Sequence, residues 1–332
     1  MSTERIPGIG FIKEEHKDDF IDLDISGEGI YKVGKEGVKR ILTPKDKKQD
    51  LIIYEDKTLV YVKSAMGYPA IYPLLDATFE GPAEALLMDL DGTSVKSESF
   101  WMWVIEQTVS RLLGDPGFRL ESEDEPHVSG HSVSEHLKYC TTKYCPSKSV
   151  EEARIHYFDI THHEMSEIMA GRGREGAFTP AKGLKEFLYE LKGRGIKLGL
   201  VTSGLFEKAW PEILSAFKTL DMGDPLEFYD AIISAGYAIR KGQAGTLGEL
   251  SPKPHPWLYA ETARVGLGID FTRRHKVIGM EDSGAGVVSI RLAGFAAIGV
   301  GGGNILKSGS RPFLHSECDD LMDALPVILG KV

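Results

Sequence analysis

Five short segments of the chain are almost continuous in apolar residues. They are ALLM (85–88), IKLGLV (196–201), AIIS (231–234), KVIGM (276–280) and AAIGV (296–300). Strands buried on both faces have this pattern, whereas strands with one solvent face alternate apolar and polar residues. Amphipathic stretches typical of helices occur between these segments, at 181–193, 205–218, 255–266 and 284–293. The alternation predicts an α/β fold with a Rossmann-like core, in which helices cover both faces of a parallel sheet in three layers.

One stretch interrupts this alternation. Residues 97–178 contain helical patterns at 98–113, 131–139 and 149–170, and they contain no convincing strand. An all-helical segment between the first and second sheet strands indicates an inserted module. We therefore expect an α/β core formed by 81–96 and 179–332, and an α-helical cap domain formed by 97–178.

Residues 1–80 have a different, β-rich character. LIIYEDKTLVYV (51–62) reads as two strands around a polar turn, which favours a hairpin, and GIYKVGKEGVKRIL (29–42) also looks strand-like. The segment is small and polar for an independent domain, so we expect a β-rich N-terminal extension packed on the main body. It could also form a homo-oligomer interface or recognise another protein, which would make the chain a regulatory or binding module.

Composition excludes several classes of protein. With 332 residues and 42% hydrophobic residues the chain can bury a large core, and its net charge of -10 argues against general nucleic-acid binding. No apolar run approaches the ~20 residues that span a membrane, and the first residues lack a signal-peptide pattern. The three cysteines (Cys140, Cys145, Cys318) lack metal-site spacing. A cytoplasmic protein with reduced thiols and no membrane segment is the expectation.

Four polar clusters carry the groups that could perform chemistry. They are Asp89–Thr93 (DLDGT), Thr202–Gly204 (TSG), Lys253–Pro256 (KPHP) and Glu281–Gly284 (EDSG). The first, second and fourth clusters directly follow apolar segments. The remaining cluster, Lys253–Pro256, lies at the start of a helical stretch. Since the carboxyl ends of parallel strands meet at one edge of a sheet, we expect these clusters to converge there.

The residue types in these clusters favour phosphate chemistry. Several carboxylates in one crevice repel each other unless a cation lies among them, and Mg²⁺ prefers such oxygen ligands. Lys253 and the polar groups of Thr202 and Ser203 could hold phosphate oxygens. Asp89 could be a nucleophile that forms an aspartyl-phosphate, while Asp91 protonates the leaving oxygen and later deprotonates water.

In their order and flanking residues the four clusters resemble the motifs of the haloacid dehalogenase-like (HAD) superfamily, over about residues 84–330. DLDGTSVKSE and VIGMEDSGAGVVSIRLAG resemble its β-phosphoglucomutase and phosphoglycolate-phosphatase branch, which carries a helical cap after the first motif. The resemblance implies a nucleophile at Asp89, a general acid and base at Asp91 and a bridging cation at Lys253. It also implies phosphate binding by the Thr202 side chain and the Ser203 amide.

The resemblance also implies a metal site. Asp89, the backbone carbonyl of Asp91 and Asp282 would bind Mg²⁺, and Glu281 would either bind it directly or support the other ligands. Dehalogenases of this fold lack the second aspartate, so Asp91 favours phosphate esters over carbon–halogen bonds. We therefore expect a Mg²⁺-dependent phosphatase for a small phosphorylated metabolite such as a sugar phosphate, with a phosphomutase as the alternative.

Some positions depart from the family pattern or concern specificity. The segment before Lys253 is long and contains a second lysine, Lys241, although Lys253 has the adjoining proline. His255 and Trp257 could shape substrate access. In the cap, SGHSVSEHL (129–137) resembles the loop that faces substrate in this branch, so His131 and Ser132 are the candidate specificity residues. We expect the cap tryptophans, Trp101 and Trp103, to be packing residues.

Overall fold

The structure is a computed structural model of the chain. It describes residues 5–63, 69–128, 133–234, 237–238 and 251–331. These form two compact units, and the larger unit comprises Met1–Asp89, Lys182–Ser203 and Tyr229–Val332. The smaller unit comprises Leu90–Ala181 and Gly204–Phe228. The domain boundaries inferred from the sequence stay a prediction.

The secondary structure of the described residues follows the chain in this order. The strands are β1 (Arg5–Ile6), β2 (Gly10–Phe11), β3 (Phe20–Leu23), β4 (Arg40–Pro44), β5 (Gln49–Ile53), β6 (Thr58–Val62), β7 (Ala70–Leu74), β8 (Ala85–Asp89), β9 (Val95–Lys96), β10 (Thr179–Pro180), β11 (Lys197–Val201), β12 (Ala231–Ser234), β13 (Tyr237–Ala238), β14 (Val277–Glu281), β15 (Ala296–Val300) and β16 (Ser316–Cys318). The α-helices are α1 (Glu98–Leu113), α2 (Glu125–Val128), α3 (Val133–Tyr144), α4 (Val150–Met169), α5 (Leu184–Gly193), α6 (Phe206–Leu220), α7 (Pro225–Phe228), α8 (Trp257–Glu261), α9 (Gly284–Leu292), α10 (Ile305–Ser308) and α11 (Leu325–Ile328). A π-helical turn (Thr262–Gly266) and short 3-10 turns complete the described elements, the latter at Glu14–Asp19, Gly27–Gly29, Ser122–Asp124, Phe271–Lys276, Arg311–Phe313 and Leu321–Ala324.

The larger unit is built around a seven-stranded sheet with strand order β13-β12-β11-β8-β14-β15-β16. Its strands pair in parallel except for the edge strand β13, which is antiparallel to β12. Every residue of β8, β14 and β15 is buried, as expected for strands covered on both faces. The predicted α/β fold with a parallel core is confirmed.

The register of the central strands brings their polar ends together. Val201, the last residue of β11, pairs with Asp89, the last residue of β8. On the other side of β8, β14 ends at Glu281. Because these strands are parallel, the residues that follow them leave the sheet at the same edge, where ligand sites of open α/β sheets lie.

The N-terminal part of the larger unit forms a second sheet. It has five antiparallel strands in the order β3-β4-β5-β6-β7. The predicted hairpin is confirmed, since β5 and β6 pair around a turn in which the N–H of Tyr54 donates to the Lys57 carbonyl at 2.9 Å. The expected strand at 29–42 is regular only from Arg40, because Gly34 and Gly37 adopt positive φ angles of 80° and 83° and turn the chain.

This second sheet packs on the helices of the core. Leu51 and Val60 from the sheet belong to the same buried apolar cluster as Val287 and Ile290 from α9. Nearly every residue of α9 is buried, which marks a helix covered on more than one side. The β-rich extension is therefore part of the same hydrophobic core as the α/β sheet.

The smaller unit is mainly helical. Helices α1, α3 and α4 follow one another between β9 and β10, which pair as a short antiparallel ribbon. Helix α4 begins at a capping box, in which Ser149 and Glu152 satisfy each other's backbone N–H groups. The predicted helical insertion is confirmed. Among the described residues, no helix is both long enough and apolar enough to cross a membrane.

Candidate active site

Three buried carboxylates lie at the carboxyl edge of the central sheet. Asp89 is 4% exposed, Glu281 is fully buried and Asp282 is 6% exposed. One oxygen from each lies within 4.8 Å of the others. The strands place them there, because β8 ends at Asp89, β14 ends at Glu281, and Asp282 is the next residue.

Lys253 reaches this cluster from the loop before α8. Its ammonium group contacts Oδ1 of Asp89 and lies 2.5 Å from Oε1 of Glu281. Burial alone would lower the pKa of Lys253, but the charges of Asp89 and Glu281 more than offset this effect and raise the pKa. The lysine is therefore a fixed cation. The cluster therefore holds three carboxyl groups and a single ammonium group.

Glu281 is held by a full set of donors. Its Oε1 accepts from Lys253 and from the Tyr259 hydroxyl at 2.7 Å, and its Oε2 accepts from the Ser283 hydroxyl at 2.9 Å and the Ser283 N–H at 3.2 Å. Burial, reinforced by the charge of Glu281, raises the pKa of Tyr259 well above its usual range. Tyr259 thus stays a neutral hydrogen-bond donor.

Two glycines make room for the acidic residues. A Cβ on Gly286 would lie 1.9 Å from the carboxyl carbon of Glu281, and a Cβ on Gly303 would lie 2.1 Å from the Asp282 carbonyl oxygen. The Asn304 N–H also donates to that carbonyl at 3.0 Å. The backbone at both turns therefore packs directly against the carboxylates and fixes their positions.

The predicted phosphate-binding residues lie at the end of β11. Thr202 is 1% exposed, and its N–H donates to the Ile233 carbonyl at 2.9 Å. The Ser203 hydroxyl accepts from the backbone N–H of Lys253 at 3.2 Å. This bond ties the second motif to the third, so the structure brings Asp89, Thr202, Ser203, Lys253, Glu281 and Asp282 into one neighbourhood of the larger unit.

Asp91 belongs to the smaller unit, where it is held by donors from α1. Its Oδ1 accepts from the Ser97 hydroxyl at 3.0 Å and from the Trp101 indole N–H at 3.2 Å. Gly92, which follows it, has a φ of 82° and turns the chain out of the strand. Trp101 packs against Phe100 and Phe178 as expected, and its indole N–H in addition donates to the candidate acid and base.

Two further residues near Asp91 were missed by the sequence analysis. Glu212 and Lys208 lie one turn apart on α6, and Glu212 is only 1% exposed. Burial, and next the charge of Asp91, raises the pKa of Glu212 well above its usual range, although Ser97 and Lys208 act in the opposite direction. A glutamate at a core-facing position of an amphipathic helix is the sequence signal that could have revealed this group.

The remaining predicted positions are the candidate specificity residues, the alternative lysine and His255. His131 and Ser132, the candidate specificity residues, lie outside the described residues, as does the alternative Lys241. His255 is 7% exposed, and its Nδ1 lies 2.9 Å from the Tyr72 hydroxyl of the N-terminal sheet. The expectation that His255 shapes substrate access is therefore wrong, because its ring is packed inside the larger unit.

The donor set at the sheet edge fits a hard divalent cation. Carboxylate oxygens from separate residues can approach one point, and the cluster holds more carboxyl groups than the single ammonium of Lys253. Oxygen ligands are those that Mg²⁺ prefers, and Mg²⁺ usually keeps positions for water or phosphate oxygens. The residues present therefore suit a magnesium ion better than a metal that requires sulfur or imidazole ligands.

The fold and the acidic site define a class: an α/β enzyme core with a cluster of buried carboxylates at the carboxyl edge of a parallel sheet. Residues 86–233 match the family model described as haloacid dehalogenase-like hydrolase. This segment contains the first and second motifs, and the geometry adds Lys253, Glu281 and Asp282 to them. Residues 86–233 are therefore similar to haloacid dehalogenase-like hydrolases, which confirms the resemblance drawn from the motifs.

Solved structures share the fold at low sequence identity. A predicted phosphoglycolate phosphatase from Haemophilus somnus is 17% identical, with a TM-score of 0.56 over 74% of this chain and 98% of that chain. A CbbY mutant from Rhodobacter sphaeroides in complex with xylulose-(1,5)bisphosphate is 18% identical, with a TM-score of 0.53 over 72% of this chain and 95% of that one. A suggested β-phosphoglucomutase from Thermotoga maritima is 19% identical, with a TM-score of 0.50 over 74% and 100%. No curated protein matches the chain.

Proposed function

We propose that this protein is a Mg²⁺-dependent phosphatase that hydrolyses a small phosphorylated metabolite through an aspartyl-phosphate on Asp89. The observation that carries the proposal is the buried cluster of Asp89, Lys253, Glu281 and Asp282 at the carboxyl edge of the sheet. The family of residues 86–233 supports hydrolysis. The sugar bisphosphate bound to the CbbY mutant supports a sugar phosphate as substrate.

In the first step, a carboxylate oxygen of Asp89 attacks phosphorus, and the bond from phosphorus to the ester oxygen breaks. Asp91, in its protonated form, gives a proton to the departing oxygen. The Lys253 ammonium lies beside Asp89 and would bind an oxygen of the transferring group. The Thr202 hydroxyl and the Ser203 amide would bind the remaining oxygens.

In the second step, water attacks phosphorus and gives a proton to the Asp91 carboxylate. The bond between phosphorus and the Asp89 oxygen breaks, and its electron pair restores the carboxylate. Inorganic phosphate then leaves, and Asp91 is again protonated for the next cycle. Each residue therefore returns to its starting state.

Asp89, Asp282 and the backbone carbonyl of Asp91 would hold the magnesium ion. A bound ion would neutralise charge on the phosphate and on the carboxylates. We assign Glu281 a supporting role, because its two oxygens already accept from Lys253, Tyr259 and Ser283. Its main effect would be to fix the lysine beside the nucleophile.

A phosphate-release screen over phosphorylated metabolites tests the proposal. The wild-type enzyme should release phosphate from a small set of them with Mg²⁺ and lose this activity in EDTA. Asp89→Asn should fold normally and release no phosphate above background, because the amide is a poor nucleophile. Normal turnover by Asp89→Asn, or phosphate release that is unchanged in EDTA, would refute the assignment.

The alternative function is a phosphomutase. Its supporting observation is the fold shared with a suggested β-phosphoglucomutase. A mutase would return the phosphoryl group to a reoriented sugar instead of water. Incubation with β-glucose 1-phosphate separates the two, since a mutase forms glucose 6-phosphate and a phosphatase forms glucose and phosphate.

A further inference from the structure

Helix α1 presents two donors to one oxygen of Asp91. Ser97 is the N-cap of the helix and Trp101 lies one turn further along, so both side chains fall on the same face. The Ser97 hydroxyl lies 3.0 Å from Oδ1 of Asp91, and the Trp101 indole nitrogen lies 3.2 Å from it. A hydroxyl can rotate, but an indole N–H only donates in one direction.

The indole ring of Trp101 is itself held in place. The Lys208 ammonium lies 3.8 Å from the ring centroid, and it also donates to the Tyr157 hydroxyl at 3.0 Å. Phe100 packs edge-on against the ring with centroids 5.0 Å apart. A cation over an aromatic face and an edge-on partner both favour a single ring orientation.

We propose that Trp101 is the positioning residue of Asp91, and that Lys208 fixes the indole that performs this task. An N–H donor on Oδ1 makes that oxygen an acceptor in either protonation state. The two donors on Oδ1 therefore fix the orientation of the Asp91 carboxyl group. The inference rests on the proposed function, since it assumes that Asp91 is the general acid and base.

The test compares Trp101→Phe with Trp103→Phe on two substrates. Phenylalanine keeps the aromatic face for Lys208 and removes the N–H. Trp103 is a matched control, because it lies on the same helix and has Arg174 over its ring at 4.1 Å. The substrates are glycerol 3-phosphate, whose leaving oxygen needs a proton, and p-nitrophenyl phosphate, whose leaving group departs without one.

We expect Trp101→Phe to lower kcat/KM for glycerol 3-phosphate by about tenfold or more, the effect of losing one hydrogen bond to a carboxyl group that becomes charged as its proton leaves. The loss for p-nitrophenyl phosphate should be much smaller, because kcat/KM reports the steps up to leaving-group departure. Trp101→His, which retains an N–H donor, should recover part of the loss. Trp103→Phe should change kcat/KM only slightly, and by the same factor for both substrates.

An equal loss on both substrates, or no loss, in a Trp101→Phe protein that unfolds like wild type overturns the inference. Parallel assays of Asp89→Asn and Asp91→Asn separate this failure from that of the proposed function. If wild-type activity depends on both aspartates and not on Trp101, only the inference fails. If phosphate release does not depend on Asp89, the proposed function fails and the inference fails with it.

Discussion

Lys253 is the residue on which the acidic cluster depends most. Its side chain is 8% exposed and contacts two carboxylates that are at least as buried. Removal of one partner from a buried ion pair leaves the other charges without compensation in a region of low polarity. The lysine therefore has a structural task as well as the proposed catalytic one.

Lys253→Met tests both tasks. We expect kcat/KM to fall by about 100-fold or more, as for the loss of one donor to a developing charge. In EDTA the free energy of unfolding should fall by about 3 kcal/mol, since two buried carboxylates lose their partner. Urea unfolding with and without Mg²⁺ measures this, and Mg²⁺ should restore more stability in the variant than in the wild type.

The control for this lysine is Lys197→Met. The Lys197 ammonium donates to the Leu267 carbonyl at 2.8 Å, in the same unit but away from the acidic cluster. Its loss should leave kcat/KM within about twofold of the wild-type value, as for a change outside the site. A Lys253→Met protein as stable in EDTA as the control would contradict the assignment.

At the level of single residues, the sequence predicted the site residues whose positions follow from the order of strands and motifs. Asp89, Glu281 and Asp282 meet because the ends of parallel strands share an edge, which periodicity reveals, and the order of the motifs added Lys253 from the loop before α8. Trp101, Lys208 and Glu212 could not be assigned in the same way. They meet through the rotation of α1 and α6 about their axes, and this rotation is set by tertiary packing.

Among the elements, the turn from β14 into α9 fixes the acidic site. Ser283 caps α9 by accepting from the Gly286 N–H at 3.1 Å, and it also donates to Glu281. Glycine at 286 lets the first turn of the helix lie directly on the Glu281 carboxylate. The same contacts of Ser283 and Gly286 therefore begin the helix and fix the position of the Glu281 carboxylate.

Gly286→Ala should disturb that structure. The new Cβ would lie 1.9 Å from Oε1 of Glu281, so the carboxylate or the helix must move. We expect a loss of about 1–3 kcal/mol in unfolding free energy, as for overpacked cores, together with a drop in kcat. Gly193→Ala is the control, because nothing lies within 4 Å of its added Cβ. Wild-type stability and kcat in Gly286→Ala would refute this reading of the turn.

The contact between His255, which lies just before α8, and Tyr72 of the N-terminal sheet predicts a pH dependence of stability. Burial lowers the pKa of His255 below its ordinary value of 6.5. Below pH 6.5 the unfolded chain therefore binds more protons at this position than the folded chain. The contribution of His255 to stability is present above that pH and is lost as the pH falls.

Thermal unfolding between pH 7.5 and 5 checks this prediction. His255→Gln retains an acceptor for the Tyr72 hydroxyl and cannot titrate, so its stability should fall less across this range than that of the wild type. His162→Gln is the control, because the His162 side chain is 60% exposed. Parallel curves for the wild type and His255→Gln would contradict the linkage.

The sequence located most elements and misplaced a few. The strands of the central sheet and α1 are predicted closely, because their apolar patterns are long and regular. The helical pattern at 255–266 is shorter in the structure, where α8 ends at Glu261 and a π-helical turn follows. That change depends on how the segment packs against the sheet, which periodicity does not encode.

For the whole molecule, the notable property is that the N-terminal extension and the core share one interior. Arg291 of α9 is 4% exposed and donates to the carbonyls of Gly8 at 2.5 Å and Leu75 at 3.1 Å. Burial lowers the pKa of this arginine to about 10. The amphipathic pattern predicted for 284–293 did not reveal that the N-terminal sheet covers the outer side of α9.

Deletion of residues 1–80 should therefore give an unfolded or aggregated chain. The deletion would expose the apolar residues of α9 and remove the Gly8 and Leu75 carbonyls that accept from Arg291. Val60→Asp, in the shared interior, should have a similar though smaller effect. Ile71→Asp is its control, because Ile71 is 43% exposed on the neighbouring strand.

Circular dichroism and size-exclusion chromatography measure the outcome. A soluble, folded 81–332 chain with wild-type kcat would contradict a shared core, and it would favour an extension that serves partners instead. A role of residues 1–80 in homo-oligomers stays a prediction, which the mass of the intact protein in solution would test.

The central claim for the molecule is that Asp89 carries the phosphoryl group during turnover. The Asp91→Asn variant tests it directly, because p-nitrophenyl phosphate can phosphorylate Asp89 without an acid, whereas hydrolysis of the aspartyl-phosphate needs the missing base. Acid quench after one turnover, followed by peptide mass spectrometry, should find one phosphoryl group on the peptide that contains Asp89. Release of nitrophenol with no phosphorylated enzyme, or a phosphoryl group on another residue, would contradict the claim.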